Sequence, residues 1–365
     1  MTQSCRQRWG LVWSGLLLFL LLACGPEPAT PAASETTSEP VFLAVTNPPE
    51  PSRSRQDPLP PGSVLALPNW QIEVLEMVRG EEAAGIVLEA NMFNELPPPH
   101  FEVVLLKLRV SRLEQADAQN SYLSLALTGD RHRIYDKTSY SVVSPEPRLN
   151  YLGDMTPGST VEGWTSFAVG AGEQGLLLSA QDADTWGEAR YVMALATGNS
   201  QQVPSQLDTL MPSLDGETRE QPAQFGNVVT TENWQIRPAR QLRGDDAWQL
   251  LFETNQFNDP PPPGMSYVAI TMTAKNISAE DELSYTVSEW NFRLIDDNGV
   301  AYDPPAAVNP VPDLSLFALY PGGETSGWIV LQMPAETQSP LLLFIPPGDY
   351  NRTDVRFISL LESGR

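Results

Sequence analysis

The tetrad Asn69-Trp70-Gln71-Ile72 returns far downstream as Asn233-Trp234-Gln235-Ile236. Arg79-Gly80-Glu81-Glu82 returns at the same offset as Arg243-Gly244-Asp245-Asp246. The pattern E-x-N-x-F-N repeats too, as Glu89, Asn91, Phe93 and Asn94, then Glu253, Asn255, Phe257 and Asn258. Pro97-Pro98-Pro99 follows the first set and Pro261-Pro262-Pro263 the second. Over 69–112 and 233–276, 15 of 44 ungapped pairs are identical, far above chance. The offset holds again at Pro157-Gly158 and Pro321-Gly322, and at Gly163-Trp164 and Gly327-Trp328. A fixed period of this kind marks a duplicated structural unit. The chain is therefore organised as two copies, 63–196 and 229–362, joined by a polar linker over 197–228.

Each copy reads as strands. In Tyr267–Ala274 side chains alternate with period two, and Val103–Val110 is its partner in the first copy; such alternation means one face inward and one outward. Trp290–Ile295 and Val300–Tyr302 flank Asp296-Asp297-Asn298-Gly299, a tight hairpin turn in which Asn-Gly supplies positive φ. Gly327–Met333 and Leu341–Ile345 read as further strands. Beyond the N-terminal stretch, no helix-length window has strong helical periodicity. About seven short strands per copy predict two tandem, all-β, immunoglobulin-like antiparallel sandwiches. The only cysteines, Cys5 and Cys24, lie outside both copies. No disulfide can staple either one, so each needs a sufficient apolar core.

The N-terminus reads as an address. Arg6 and Arg8 precede an apolar stretch, Trp9 to Ala23, too short for a comfortable span of roughly 20 residues. Leu21-Leu22-Ala23-Cys24-Gly25 resembles a bacterial lipobox. The resemblance implies that 1–23 are a lipoprotein signal peptide, cleaved before Cys24, and that Cys24 is lipidated. Residues 24–62 are rich in Pro, Ser, Thr and Glu and read as a disordered tether. The expected location is the cell membrane or envelope, lipid-anchored and facing away from the cytoplasm.

YVAITMTAKN (267–276), FRLIDDNGVAY (292–302), LYPGGETSGWIVLQMP (319–334) and RFISL (356–360) resemble an immunoglobulin-like, telokin-like domain of unknown function found in many bacterial lipoproteins. That family is similar in fold to the mycobacterial immunoprotective extracellular antigen. The first copy departs from the pattern where Lys275-Asn276 becomes Ser111-Arg112, and where the Asn-Gly turn becomes Gly129-Asp130-Arg131-His132. The resemblance implies a fold and no particular activity.

The formal charge is −23, and removing 1–23 leaves 20 Lys+Arg against 45 Asp+Glu, or −25. Such a surface repels phosphate backbones, which argues against nucleic acid as a partner. His100 and His132 are the only histidines and both read as surface residues, so a His/Cys zinc site lacks ligands. No metal site, cofactor or catalytic residue is expected. The acid pairs Glu81-Glu82, Asp245-Asp246 and Asp296-Asp297 leave two alternatives open: loop calcium, and an envelope hydrolase working through carboxylates. Trp70, Trp164, Trp234 and Trp328 read as sandwich core. The E-x-N-x-F-N segments read as structured loops whose Asn91, Phe93, Asn94, Asn255, Phe257 and Asn258 form a candidate ligand rim. The leading expectation is a non-enzymatic binding or scaffolding lipoprotein, held to the membrane by its lipid, with an envelope protein or glycan as partner. A calcium-, small-ligand- or glycan-binding lipoprotein is the alternative.

Overall fold

The computed structural model describes residues 54–361, apart from 115, 117–121, 137–139, 141, 150–151, 183–189 and 280–281. Cys24, the signal segment and the tether as far as residue 53 lie outside the described residues.

After a two-residue strand, each copy runs a long strand that ends at a glycine: β2, Trp70–Arg79, at Gly80, and β10, Trp234–Arg243, at Gly244. Both glycines have positive φ, 69° and 59°, a region open to glycine without steric cost. The chain then turns into a helix, α1 over Gly80–Ala90 and α2 over Asp245–Thr254. It returns as β3, Phe101–Arg112, or β11, Met265–Asn276, antiparallel to the opening strand. These helices depart from the sequence expectation. Each buries only an i, i+4 pair, Ala83 with Val87 and Ala247 with Leu251, so the apolar stripe is too narrow to register as periodicity. Their acid pairs sit in the first turn, where carboxylates favour the positive end of the helix dipole.

β1 (Leu65–Ala66), β2, β3 and β6 (Thr160–Gly170) form one four-stranded antiparallel sheet. β9 (Val229–Thr230), β10, β11 and β16 (Glu324–Pro334) form its counterpart. The opening strands carry register shifts at matched places, Val74/Glu76 and Pro238/Arg240. In the second copy the facing sheet is β14 (Ala301–Tyr302), β13 (Phe292–Ile295), β17 (Leu341–Phe344) and β18 (Arg356–Ser359). The hairpin read over 290–302 is present between β13 and β14, with Gly299 at φ 81°, but its first strand starts at Phe292 because Glu289–Asn291 forms a 3-10 turn. The fold is all-β and immunoglobulin-like, as the strand pattern predicted.

In the first copy the facing sheet contains β4 (Leu123–Thr128), β5 (Arg133–Tyr135), β7 (Leu177–Asp182) and β8 (Tyr191–Ala194). It does not stop at the copy boundary. β15 (Ala318–Leu319) of the second copy pairs with β5, and β12 (Tyr285–Thr286) pairs with β15. The six-stranded order is β12-β15-β5-β4-β7-β8. Phe317 places its ring 5.8 Å from Phe101 and 5.3 Å from Tyr135, and the inward-facing buried apolar residues of the two copies join in one continuous main cluster. The polar linker over 197–228 is packed as well: Leu207 and Ala223 are buried, and Ala223 makes backbone hydrogen bonds with Phe357 and Ser359.

Trp70 and Trp234 are fully buried between the sheets, as read from the sequence. Trp164 and Trp328 correct that reading. They are half-buried on the outer sheet face, Trp164 beside α1 residues and Trp328 beside Trp248 of α2. β6 and β16 carry one side chain inward and the next outward, and these rings fall on the outward register, under the helices.

Candidate functional site

The E-x-N-x-F-N segments are built identically in the two copies. Asn91 and Asn255 terminate α1 and α2, and their Oδ1 atoms accept the N–H of Phe93 at 3.1 Å and of Phe257 at 3.0 Å. Asn94 donates to the Val87 carbonyl at 2.6 Å and to that of Val143 at 2.9 Å, while its Oδ1 accepts the Val143 N–H at 2.8 Å. Asn258 repeats the set with Leu251 at 3.0 Å and Val308 at 3.2 Å, and accepts from Val308 at 2.8 Å. One amide thus satisfies a helix-end carbonyl and both polar groups of a facing loop residue. The asparagines are committed to backbone.

The phenylalanines are not. Phe93 is 82% exposed and Phe257 93% exposed, with Met92 at 83% beside the first. Exposed Glu89 and Glu95 flank Phe93, and exposed Glu253 and Asp259 flank Phe257. Among the described residues no intramolecular packing accounts for either ring. Each is a fixed aromatic tip with an acidic collar, mounted on a helix that is itself seated on the sheet.

The Asp296-Asp297 pair has structural partners. Asp296 accepts the N–H groups of Val300 and Asn298 and the Tyr302 hydroxyl, and these bonds hold its carboxyl below the usual range. Asp297 accepts from Gln338 and Ser339. A cleft of about 680 Å³ opens in the second copy beside Trp234, Tyr285, Pro347 and Tyr350. Its Asp349 is pushed up by desolvation, but the N–H donors of Thr353 and Asp354 outweigh this and hold it low. Asp354 accepts from Glu232 N–H and pairs with Arg356. Among the described residues no group of three His, Cys, Asp or Glu side chains is placed to hold a metal ion. Among those residues no helix is long and apolar enough to cross a membrane.

His132 departs from the surface reading: it is 8% exposed, with φ 55°, at the seam between the copies. Burial, and then the nearby Arg55 charge, push its pKa down to about 4, so it is neutral at pH 7. Its exposed-looking sequence context, Gly-Asp-Arg-His, gave no hint of the second copy's turn packing over it. Glu173 was also missed. It is wholly buried, accepts the Tyr135 hydroxyl at 2.8 Å and the Arg131 N–H at 2.9 Å, and burial raises its carboxyl pKa. These contacts brace the 129–132 turn.

Residues 249–355 match the model of a family described as a domain of unknown function, DUF4352. The matched stretch runs from within α2 almost to the last strand of the second copy. No curated protein matches. Among solved structures, the crystal structure of the yjhA protein from Bacillus subtilis is similar at 13% identity and a TM-score of 0.28, covering 38% of this chain and 99% of that one.

Proposed function

We propose that this chain is a lipid-anchored lipoprotein of the cell envelope, facing outward, whose joined sandwiches hold a protein partner through the two phenylalanine tips. The paired exposure of Phe93 and Phe257 carries the reading. Two thirds of the aligned residues around them differ between the copies, yet both keep an unpacked aromatic ring on the same asparagine-fixed mount. Rigid aromatic side chains are what interface centres use, because they bury much area at small entropic cost. The acidic collars define the partner chemically: an apolar pocket rimmed by Lys and Arg. The same collars, on a chain of formal charge −23, disfavour an anionic lipid surface and a second copy of this chain as occupants. Lipobox-like Leu21-Leu22-Ala23-Cys24 supports the anchor.

Two measurements test this. Cys24→Ser should leave the protein unprocessed or release it from the membrane fraction; a variant that matures normally and stays in the detergent phase removes the anchor from the proposal. Phe93→Ser combined with Phe257→Ser should leave the melting curve unchanged and cut capture of the envelope partner by on the order of 100-fold, since two interface anchors together typically cost about 3 kcal/mol or more. Trp290→Ser, at another exposed aromatic, should leave capture intact. Equal capture by the double variant and the parent rules out the tips as the binding element.

A further inference from the structure

The end of the sequence-defined tether is not free. At Leu59 the chain makes a parallel bridge to Met193 of β8, the edge strand of the six-stranded sheet. Leu59 donates to the Val192 carbonyl at 3.1 Å and accepts from Ala194 N–H at 2.8 Å, and Gln201 N–H donates to the Arg55 carbonyl at 2.8 Å. The pairing is limited to this one residue, because the flanking Pro58, Pro60 and Pro61 have no N–H to donate to a longer ladder.

At its head Arg55 is 1% exposed and enters the seam between the copies. Its guanidinium carbon lies 3.9 Å from the ring centroid of buried Tyr320. Nε donates to Glu282 Oε2 at 3.0 Å, and Nη1 reaches Gln201 Oε1 at 3.3 Å and His132 Nδ1 at 3.2 Å. Tyr320 and Glu282 come from the second copy, His132 from the first and Gln201 from the linker. An aromatic face, a carboxylate, an amide oxygen and a neutral imidazole converging on one plane is the chemistry that recognises a guanidinium. The fit is nonetheless incomplete. Arg55 Nη2 and Glu282 Oε1 are both buried without a hydrogen-bond partner among the described residues. The strap's arginine meets the carboxylate through one bond, where a well-placed guanidinium makes two.

We infer that the seam is an arginine-recognition site for an extended peptide, occupied in cis by residues 54–62, and that an arginine-bearing strand from a partner can displace this strap. The single-bond pairing and the few backbone bonds make the internal strap a replaceable occupant. Because the site is shared by both copies, exchanging its occupant acts on their junction. This site is separate from the phenylalanine tips, and either reading can fail alone.

The test uses the full chain carrying Arg55→Ala, with hydrogen exchange read at the Ala194 and Gln201 amides. Exchange there should rise about tenfold or more, in keeping with loss of charge-assisted and cation–π contacts. The β7 core amides should stay protected. A synthetic peptide of residues 54–62 should bind this variant saturably and restore protection. The same peptide with citrulline at the Arg55 position, planar but uncharged, should bind about tenfold more weakly or worse. Unchanged exchange in Arg55→Ala, or equal binding of the two peptides, overturns the inference. Should Arg55→Ala fail to fold, the same two peptides compared on Arg55→Lys decide it, because the inference requires the arginine peptide to win there as well.

Discussion

Trp234→Ala should destabilise the protein by about 3–5 kcal/mol, the cost of truncating a fully buried large aromatic. The indole is 1% exposed, lies between the two sheets of the second copy, and donates through Nε1 to the Pro347 carbonyl at 3.3 Å. Removing it leaves a cavity that a sheet-on-sheet core cannot close, because both walls are fixed by their ladders. Trp328→Ala should cost clearly less, about 1–2 kcal/mol, since the ring is only partly buried and its loss opens to solvent instead of leaving a closed cavity. Its outer-face contacts are Arg240, 5.6 Å from the ring, and the flank of α2. Chemical denaturation of the full chain, followed by circular dichroism, compares the two. If Trp328→Ala proved as costly as Trp234→Ala, the assignment of the two rings to outer face and core would be wrong.

Gly327→Ala should cost about 2–4 kcal/mol, by overpacking and loss of buried hydrogen bonds. A Cβ there would stand 2.4 Å from Asp313 C and Leu314 N, and 2.6 Å from the Pro312 carbonyl oxygen. All three are backbone atoms, so no rotamer change relieves the collision. Residues 312–314 run alongside β16, where Trp328 N–H donates to the Pro312 carbonyl at 2.8 Å. The added methyl must push that segment off its strand. Gly163→Ala should behave likewise, with Arg148 C and Leu149 N at 2.6 Å. Gly85→Ala is the control: nothing lies within 4 Å of its Cβ, and alanine in a helix interior should stabilise by about 0.5–1 kcal/mol. Thermal melts of the three variants suffice. A Gly327→Ala melt indistinguishable from the parent would mean that 312–314 does not pack against β16.

The matched glycine–tryptophan pair shows what repetition in a sequence can and cannot convey. Recurrence at one offset singled out Gly163-Trp164 and Gly327-Trp328, and each glycine is a place of close backbone approach. It could not say which sheet face the neighbouring ring occupies, because that depends on the helix laid over the outer face. The asparagine motifs behave the same way. Asn94 and Asn258 were legible as important, but their partners Val143 and Val308 lie in a different loop, and only the folded sheet brings them within reach. The helices themselves escaped notice because each is short and buries just two side chains, which leaves too little pattern to read.

Local pattern by itself gave the all-β class, the long strands and the positive-φ turn at Gly299, which depend on neighbours close along the chain, while recurrence at a fixed offset marked the duplication. The tertiary structure alone decided the junction. β15 crosses to β5, His132 is buried beneath the second copy's turn, and Arg55 leaves a tether-like stretch to meet Tyr320 and Glu282 at the far end of the chain. Such contacts join segments whose separate compositions look solvent-exposed. Their burial follows from the shapes of two finished surfaces meeting, a property that no short window of sequence contains.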